Sequence, residues 1–91
     1  MDAKPKSYMT DEERAMRRAS GMSENAILMV ESRAADHAGD EEAAWAWLAL
    51  AELPAPSLAI IKNLQGADFI RSRGFKTKNA DIAYGPGWLD R

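Results

Sequence analysis

Residues 40–56 read DEEAAWAWLALAELPAP, and this stretch predicts a short central helix. Asp40 is a good N-cap, the two glutamates after it suit the positive end of a helix dipole, and Pro54 cannot continue a helix. The alanine content favours helix over strand, although large and small residues alternate. The apolar run at 43–51 would extend only about 13–14 Å as a helix, against roughly 30 Å of bilayer hydrocarbon. No membrane-spanning segment is therefore expected.

The two tryptophans of this helix project to opposite sides, because Trp45 and Trp47 are separated by about 200° of helical rotation. A helix that is apolar all round is either central in a fold or part of an interface. Four short helices are too few to surround it completely. We therefore expect one tryptophan in the core and the other at a partner, unless the C-terminal Trp88 and Leu89 cover the second side.

On the N-terminal side, capping signals predict two more helices. Thr10 and Glu13 have the spacing of a capping box and are expected to begin the first helix. Ser23 is expected to begin the second. Gly21 and Gly39 suit the left-handed position at which helices commonly end.

On the C-terminal side, Ser57 is expected to cap a fourth helix after Pro54-Ala55-Pro56, which is interpreted as a stiff connector. Gly66 costs about 1 kcal/mol in a helix interior and is a point where this helix can divide. Gly74 suits the helix end, with Phe75 folded back on the last turn.

These signals predict an all-α fold, a small bundle of four to five short helices with an irregular C-terminal tail packed across it. Residues 1–9 are expected to be a flexible N-terminal arm, residues 10–75 the helical domain, and residues 76–91 a tail. Gly85-Pro86-Gly87 in this tail suits a type II turn. A chain of 91 residues without a disulfide buries only about 60–65% of its surface, so its stability is thin.

The composition argues against several function classes. The chain has 12 basic and 14 acidic residues, no cysteine and one histidine, which excludes a polycationic coat, a disulfide scaffold and a cysteine nucleophile. No phosphate-cradling glycine loop or nucleophile elbow occurs, so the protein is predicted not to be an enzyme and to use no cofactor. His37 is interpreted as a solvated helix-end histidine rather than a metal ligand. The polar N-terminus favours a cytoplasmic protein.

Charge is distributed unevenly along the chain. Residues 24–53 carry seven acidic groups and one basic, whereas residues 54–91 carry six basic and three acidic. The acidic block at residues 24–53 is interpreted as a solvated face. The alternative is that it binds a basic surface of a partner. The basic cluster near residues 71–78 could pair with carboxylates or phosphates. Nucleic-acid binding ranks second because the net charge is −2 and no helix-turn-helix pattern is present.

The favoured function is a small non-enzymatic protein-binding module, an adaptor, regulator or inhibitor, that docks a helical face on a larger protein or protein–nucleic-acid complex. Such small acidic chains are typical of phage or mobile-element accessory proteins, anti-defence inhibitors among them. One alternative is a nucleic-acid-binding regulator that uses the basic 62–78 surface, and another is a structural homo-oligomer such as a homodimer. The expected partner-binding residues are Trp45, Trp47, Trp88, Arg71, Arg73, Lys76 and Lys78.

Overall fold

The computed structural model describes residues 4–91, and the described chain is all-α, as predicted. It contains six α-helices, one 3₁₀ turn and no strand within that range. The elements are α1 Asp11–Ala19, α2 Glu24–His37, α3 Glu41–Leu50, α4 Ala55–Gln65, α5 Ala67–Arg73, α6 Lys78–Tyr84 and the 3₁₀ turn Trp88–Asp90. None of the helices described is long and apolar enough to cross a membrane.

The chain divides into two compact units, one ending at Ala51 and the other beginning at Glu52. The first unit contains α1, α2 and α3, and the second contains α4, α5, α6 and the 3₁₀ turn. The predicted boundary between the arm and the helical domain, after residue 9, falls inside the first unit, and the predicted start of the tail, after residue 75, falls inside the second. Each unit is small, so its stability depends on close packing of a few large side chains.

The first three helices begin at the residues that the sequence predicts. In each case the cap side chain accepts the backbone N–H three residues later, which satisfies one of the donors left over at a helix start. The Glu13 side chain, the second member of the predicted capping box, forms a salt bridge one turn further along α1, where Arg17 Nη2 lies 2.9 Å from Glu13 Oε1. The caps are Thr10 to Glu13 N at 3.1 Å, Ser23 to Ala26 N at 3.1 Å, and Asp40 to Ala43 N at 3.0 Å.

The core of the first unit lies between α2 and α3. Small alanine side chains at this contact let the two helices approach closely, and the Trp47 ring fills the space beside them. Trp47 is 5% exposed, and its Nε1–H donates to the Lys6 carbonyl at 2.9 Å, so the buried indole has a partner. The cluster consists of Ala35, Ala43, Ala44 and Trp47, with Tyr8 and Leu28 packed against it.

Part of the predicted N-terminal arm packs on this core. Residues 1–3 lie outside the described residues. Met9 is 4% exposed, and the Tyr8 hydroxyl donates to Asp40 Oδ2 at 2.6 Å. Together with the Lys6 carbonyl, these contacts attach residues 6–9 to α3. Flexibility of the arm stays a prediction, but its last four residues include a side chain buried in the core.

The start of α4 differs from the prediction. Ser57 does not cap this helix; α4 begins at Ala55, with Pro54 in the cap position and Pro56 in the first turn. Proline fits there because the first-turn N–H groups have no partner within the helix, and its fixed φ is already helical. The Pro54-Ala55-Pro56 segment therefore starts a helix and is not a separate connector.

The predicted breaks after α4 are confirmed. Gly66, with φ 94°, separates α4 from α5. Gly74 adopts the left-handed conformation, φ 75° and ψ 29°, and ends α5. The Phe75 N–H donates to the Ile70 carbonyl at 3.2 Å, which is the long hydrogen bond of a Schellman motif.

Residues 76–91 are more regular than the predicted irregular tail, since they form α6 and the 3₁₀ turn. Gly87, at φ 80° and ψ 10°, matches the third position of a type II turn. Trp88 is 5% exposed, its Nε1–H donates to Asp81 at 2.8 Å, and its ring lies 6.0 Å from that of Tyr84. The segment is thus part of the core of the second unit, because burying Trp88 requires α6 beside it.

Two serine substitutions test the helix starts. Ser23→Ala removes the α2 cap and is expected to lower the free energy of unfolding by about 1 kcal/mol. Ser57→Ala, inside α4, is expected to leave stability unchanged or to raise it, because alanine is the better helix former. Urea denaturation followed by circular dichroism measures both. A loss at Ser57 equal to that at Ser23 would contradict the α4 start.

Candidate functional site

The three tryptophans occupy different environments. Trp47 and Trp88 are buried, and each indole N–H has an acceptor within its own unit. Trp45 is half-buried, and its Nε1–H points to Glu41 Oε1 at 3.4 Å, one turn earlier in α3. Of the three tryptophans expected at a partner, Trp45 is therefore the one whose ring a second molecule can reach without opening a core.

A cleft of about 280 Å³ lies between α2 and α3 at Trp45. Its apolar part is made by Ala44, Leu48 and the Trp45 ring, and Ser32 joins the two helices by donating to the Ala44 carbonyl at 2.7 Å. A volume near 300 Å³ is at the lower limit for small-molecule pockets. The cleft therefore suits one side chain of a partner better than a whole cofactor.

Two carboxylates complete this cleft. Asp36 comes from the end of α2 and Glu41 from the start of α3, and both residues are exposed. An aromatic ring beside carboxylates favours a cation, which gains both ion pairing and attraction to the ring face. Of the six acidic residues in 24–51, Glu31 is buried and Glu24 pairs with Arg18, so the exposed carboxylates at the facing ends of α2 and α3 are Asp36, Glu41 and Glu42.

The sequence places Asp36 and Glu41 in the acidic block, which is interpreted as a solvated face with a basic partner surface as the alternative, and it does not single out Ser32 or Leu48 as binding residues. A signal for them exists: Glu41 and Trp45 are four residues apart on α3, as are Ser32 and Asp36 on α2. Each pair lies on one helix face. That these two faces meet is a property of the α2–α3 packing, which no local pattern specifies.

A second cavity of about 390 Å³ in the first unit includes the buried carboxylate of Glu31, which is 2% exposed. The Ser7 hydroxyl donates to this carboxylate and lies 2.7 Å from Oε1, while Arg14 Nη2 lies 3.2 Å from Oε2. Arg14 also donates to the Met9 carbonyl at 3.3 Å. These groups satisfy one another and connect α1 and residues 7–9 to α2, so we assign them a structural role.

Hydrogen bonds shift the pKa values of several side chains in the first unit. The Tyr8 hydroxyl, and then the Ala43 N–H, lower the pKa of Asp40. The same Tyr8–Asp40 contact raises the pKa of Tyr8. Hydrogen bonds to Asp11 and Glu31 raise the pKa of Arg14, which keeps its guanidinium charged beside the buried carboxylate.

The four residues of the predicted basic cluster all lie in the second unit, but they differ in the contacts that they make. Arg71 contacts the carboxylates of Asp90 and, at 3.6 Å, Asp68. Arg73 lies over the Phe69 ring at 5.1 Å. Lys76 and Lys78 are exposed. Both arginines therefore have contacts within their own unit, and Arg71, Lys76 and Lys78 are exposed.

A hollow of about 350 Å³ in the second unit is bordered by Lys62 and Arg91 near Trp88. Lys62 Nζ donates to the Trp88 carbonyl at 2.7 Å and also to the Arg91 carbonyl. Arg91 donates to the Tyr84 carbonyl. Both cations are thus directed at backbone oxygens that close the C-terminal turn, and this accounts for their position.

No protein-family model matches this chain, and no curated protein or solved structure is significantly similar to it. Within residues 4–91, no three histidine, aspartate or glutamate side chains are placed so that they could hold a metal ion. The assignment of a site therefore depends on the geometry of the chain itself. The Trp45 cleft, with Asp36 and Glu41 at its edge, is the strongest candidate.

The Tyr8–Asp40 contact predicts a specific pH dependence. Because the pKa of Asp40 is lowered, its contribution to stability is present above the ordinary value of about 3.9 and is lost as the pH falls through the lowered value. Because the pKa of Tyr8 is raised, its contribution is present below about 10 and is lost as the pH rises through the raised value. Tyr8→Phe should flatten both limbs in a plot of unfolding free energy against pH. Tyr84→Phe is the matched control, and identical profiles for the two variants would contradict the assignment.

The Arg14–Glu31 pair predicts an order of stabilities among variants. Arg14→Met leaves the buried Glu31 carboxylate with the Ser7 hydroxyl and no cation, so this variant should be clearly destabilised. Adding Glu31→Leu removes the unpaired charge, and the double variant should be more stable than Arg14→Met alone. Arg18→Met, whose pair with Glu24 is largely exposed, should change stability little. Chemical denaturation of the four proteins tests this order, and a double variant less stable than Arg14→Met would refute it.

Proposed function

We propose that this protein is a non-enzymatic protein-binding module whose Trp45 cleft receives a basic side chain of a larger partner. The observation that carries the proposal is the half-buried Trp45 ring in a cleft that also presents the carboxylates of Asp36 and Glu41. Trp47 and Trp88, which the sequence also favours as binding residues, have core positions and are assigned to stability instead.

The cleft has the two kinds of surface that a lysine or arginine side chain needs. Leu48 and Ala44 can contact the aliphatic stem, while the Trp45 ring and the two carboxylates face the charged end. A cation over a tryptophan contributes about 0.5–1 kcal/mol at an exposed site. One such contact gives weak binding, so a partner segment must also use the acidic surface around the cleft.

Binding of this kind supports the role of an adaptor, regulator or inhibitor that acts by occupying a basic surface. A negative α2–α3 face would attract such a surface over distance and would compete with the phosphates that basic surfaces commonly bind. The cytoplasmic location and the phage or mobile-element origin remain expectations from composition.

Direct nucleic-acid binding through residues 62–78 has less support. Arg71 and Arg73 already contact side chains of the second unit, and Lys62 donates to backbone carbonyls. Lys76 and Lys78 would make few phosphate contacts. Binding of this kind would weaken with salt with a slope of only about −2 for two contacts.

The proposal predicts a selective response in an NMR titration. Short arginine-rich and lysine-rich peptides added to ¹⁵N-labelled protein should shift the indole N–H signal of Trp45. The signals of Trp47 and Trp88 should stay in place, because both rings are buried and a peptide cannot reach them. A glutamate-rich peptide of equal length is the negative control.

Variants distinguish binding in the Trp45 cleft from non-specific attraction between opposite charges. Because Trp45→Ala removes the reporting indole, binding to this variant is followed by the backbone N–H signals of Ser32 and Leu48 at the cleft, and their shifts should be lost. Glu41→Lys should weaken binding at least tenfold, since it reverses a charge at the cleft. Glu12→Lys makes the same charge change at an exposed position of α1 outside the cleft and should weaken binding much less. Equal weakening by Glu12→Lys and Glu41→Lys, or equal shifts of all three indole signals, would reject the proposal.

A further inference from the structure

The two carboxylates that border the Trp45 cleft have no cation of their own chain as partner. Among the described residues 4–91, neither Asp36 nor Glu41 forms a salt bridge. Elsewhere in the first unit, Glu13, Glu24 and Glu31 each pair with an arginine of α1. The cleft is therefore a place where two carboxylates are available to the cation of another molecule.

Asp36 also lies at a position that its own helix does not favour. It is in the last turn of α2, which ends at His37, and the negative end of the helix dipole disfavours a carboxylate there. The residue is exposed, and its carboxylate accepts no hydrogen bond from the described part of the chain. Folding does not account for this carboxylate, whereas binding a cation does.

Glu41 is held beside the Trp45 ring. The Trp45 Nε1–H points to Glu41 Oε1 at 3.4 Å across one turn of α3. Because an indole N–H lies in the plane of its ring, this contact places the carboxylate at the edge of the ring and not over its face. Asp36 reaches the same cleft from α2, so a flat cationic group against the ring would have carboxylates from two helices beside it.

An arginine side chain matches this arrangement better than a lysine side chain does. A guanidinium is flat, stacks on aromatic rings and directs five N–H donors outwards in its plane, so it can donate to two carboxylates at once. A lysine ammonium is compact and strongly hydrated, and it must lose water to lie beside Ala44 and Leu48. Building on the function proposed above, we propose that the Trp45 cleft selects arginine over lysine in its partner.

The preference arises from geometry, since the two side chains carry the same charge. In the bound state the guanidinium lies against the Trp45 ring and donates to the carboxylates of Glu41 and Asp36. A lysine retains the attraction to both carboxylates but lacks the flat face and the fixed fork of donors. One additional hydrogen bond to a charged group is enough to account for a difference of about tenfold in affinity.

Two peptides of identical sequence test the selection, with arginine at every basic position in one and lysine in the other. Each is titrated into the ¹⁵N-labelled full chain, and the Trp45 indole N–H signal reports binding. The dissociation constant of the arginine peptide should be about tenfold lower than that of the lysine peptide. Equal affinities, or tighter binding of the lysine peptide, would overturn the selection and leave the proposed function intact. No response to either peptide would reject both.

Asp36→Asn tests whether the second carboxylate is the source of the preference. This variant should bind the arginine peptide less tightly and the lysine peptide nearly as before, so that the two affinities become similar. It should fold as the parent does, as checked by circular dichroism, because it removes a charge that the helix dipole disfavours. Glu12→Gln neutralises an exposed carboxylate of α1 outside the cleft and should keep the ratio of the parent. An unchanged ratio in Asp36→Asn, or an equal loss of the ratio in Glu12→Gln, would refute the contact with two carboxylates.

Discussion

The packing of Trp47 between α2 and α3 is the contact on which the first unit depends. Three alanines let the helices approach, and the indole fills the remaining space while donating to the Lys6 carbonyl. That hydrogen bond and the one from the Tyr8 hydroxyl to Asp40 attach the N-terminal segment to the core, where Met9 is buried. Trp45 is two residues away, about 200° around α3, and its ring borders a cleft at the edge of the α2–α3 contact.

Polar contacts then attach the peripheral parts to this core. Asp40 has two functions, since it caps α3 and accepts the Tyr8 hydroxyl. Glu31 is buried, but Arg14 and Ser7 satisfy its carboxylate and so join α1 to α2. A buried charge adds little net stability when paired, yet it is costly when its partner is lost. Such a group therefore favours one arrangement of α1 over others.

The two units present different surfaces for recognition. The first has an aromatic cleft with carboxylates, which suits a basic side chain of another protein. The second has an aliphatic helix face on α4, where Ile60 and Leu64 are exposed. The acidic block and the basic cluster of the sequence do not by themselves define these surfaces. In the basic cluster, contacts within the second unit engage Arg71 and Arg73 and leave Lys76 and Lys78 exposed.

Local chemistry in the sequence was sufficient for the all-α class, for the starts of the first three helices and for the breaks at Gly66 and Gly74. Caps, glycine conformations and helical periodicity act over a few residues, so a linear pattern contains them. The predicted start of α4 at Ser57 is wrong, because a serine at the N-cap and a proline in the first turn are both common at helix starts. No local signal decides between the two. The Trp45 cleft, the contacts of Trp88 with Asp81 and Tyr84 of α6 and the attachment of residues 6–9 were decided only by the tertiary structure. Each joins residues from separate elements, as with Trp47 and Lys6, 41 positions apart, and which faces meet depends on how the helices pack.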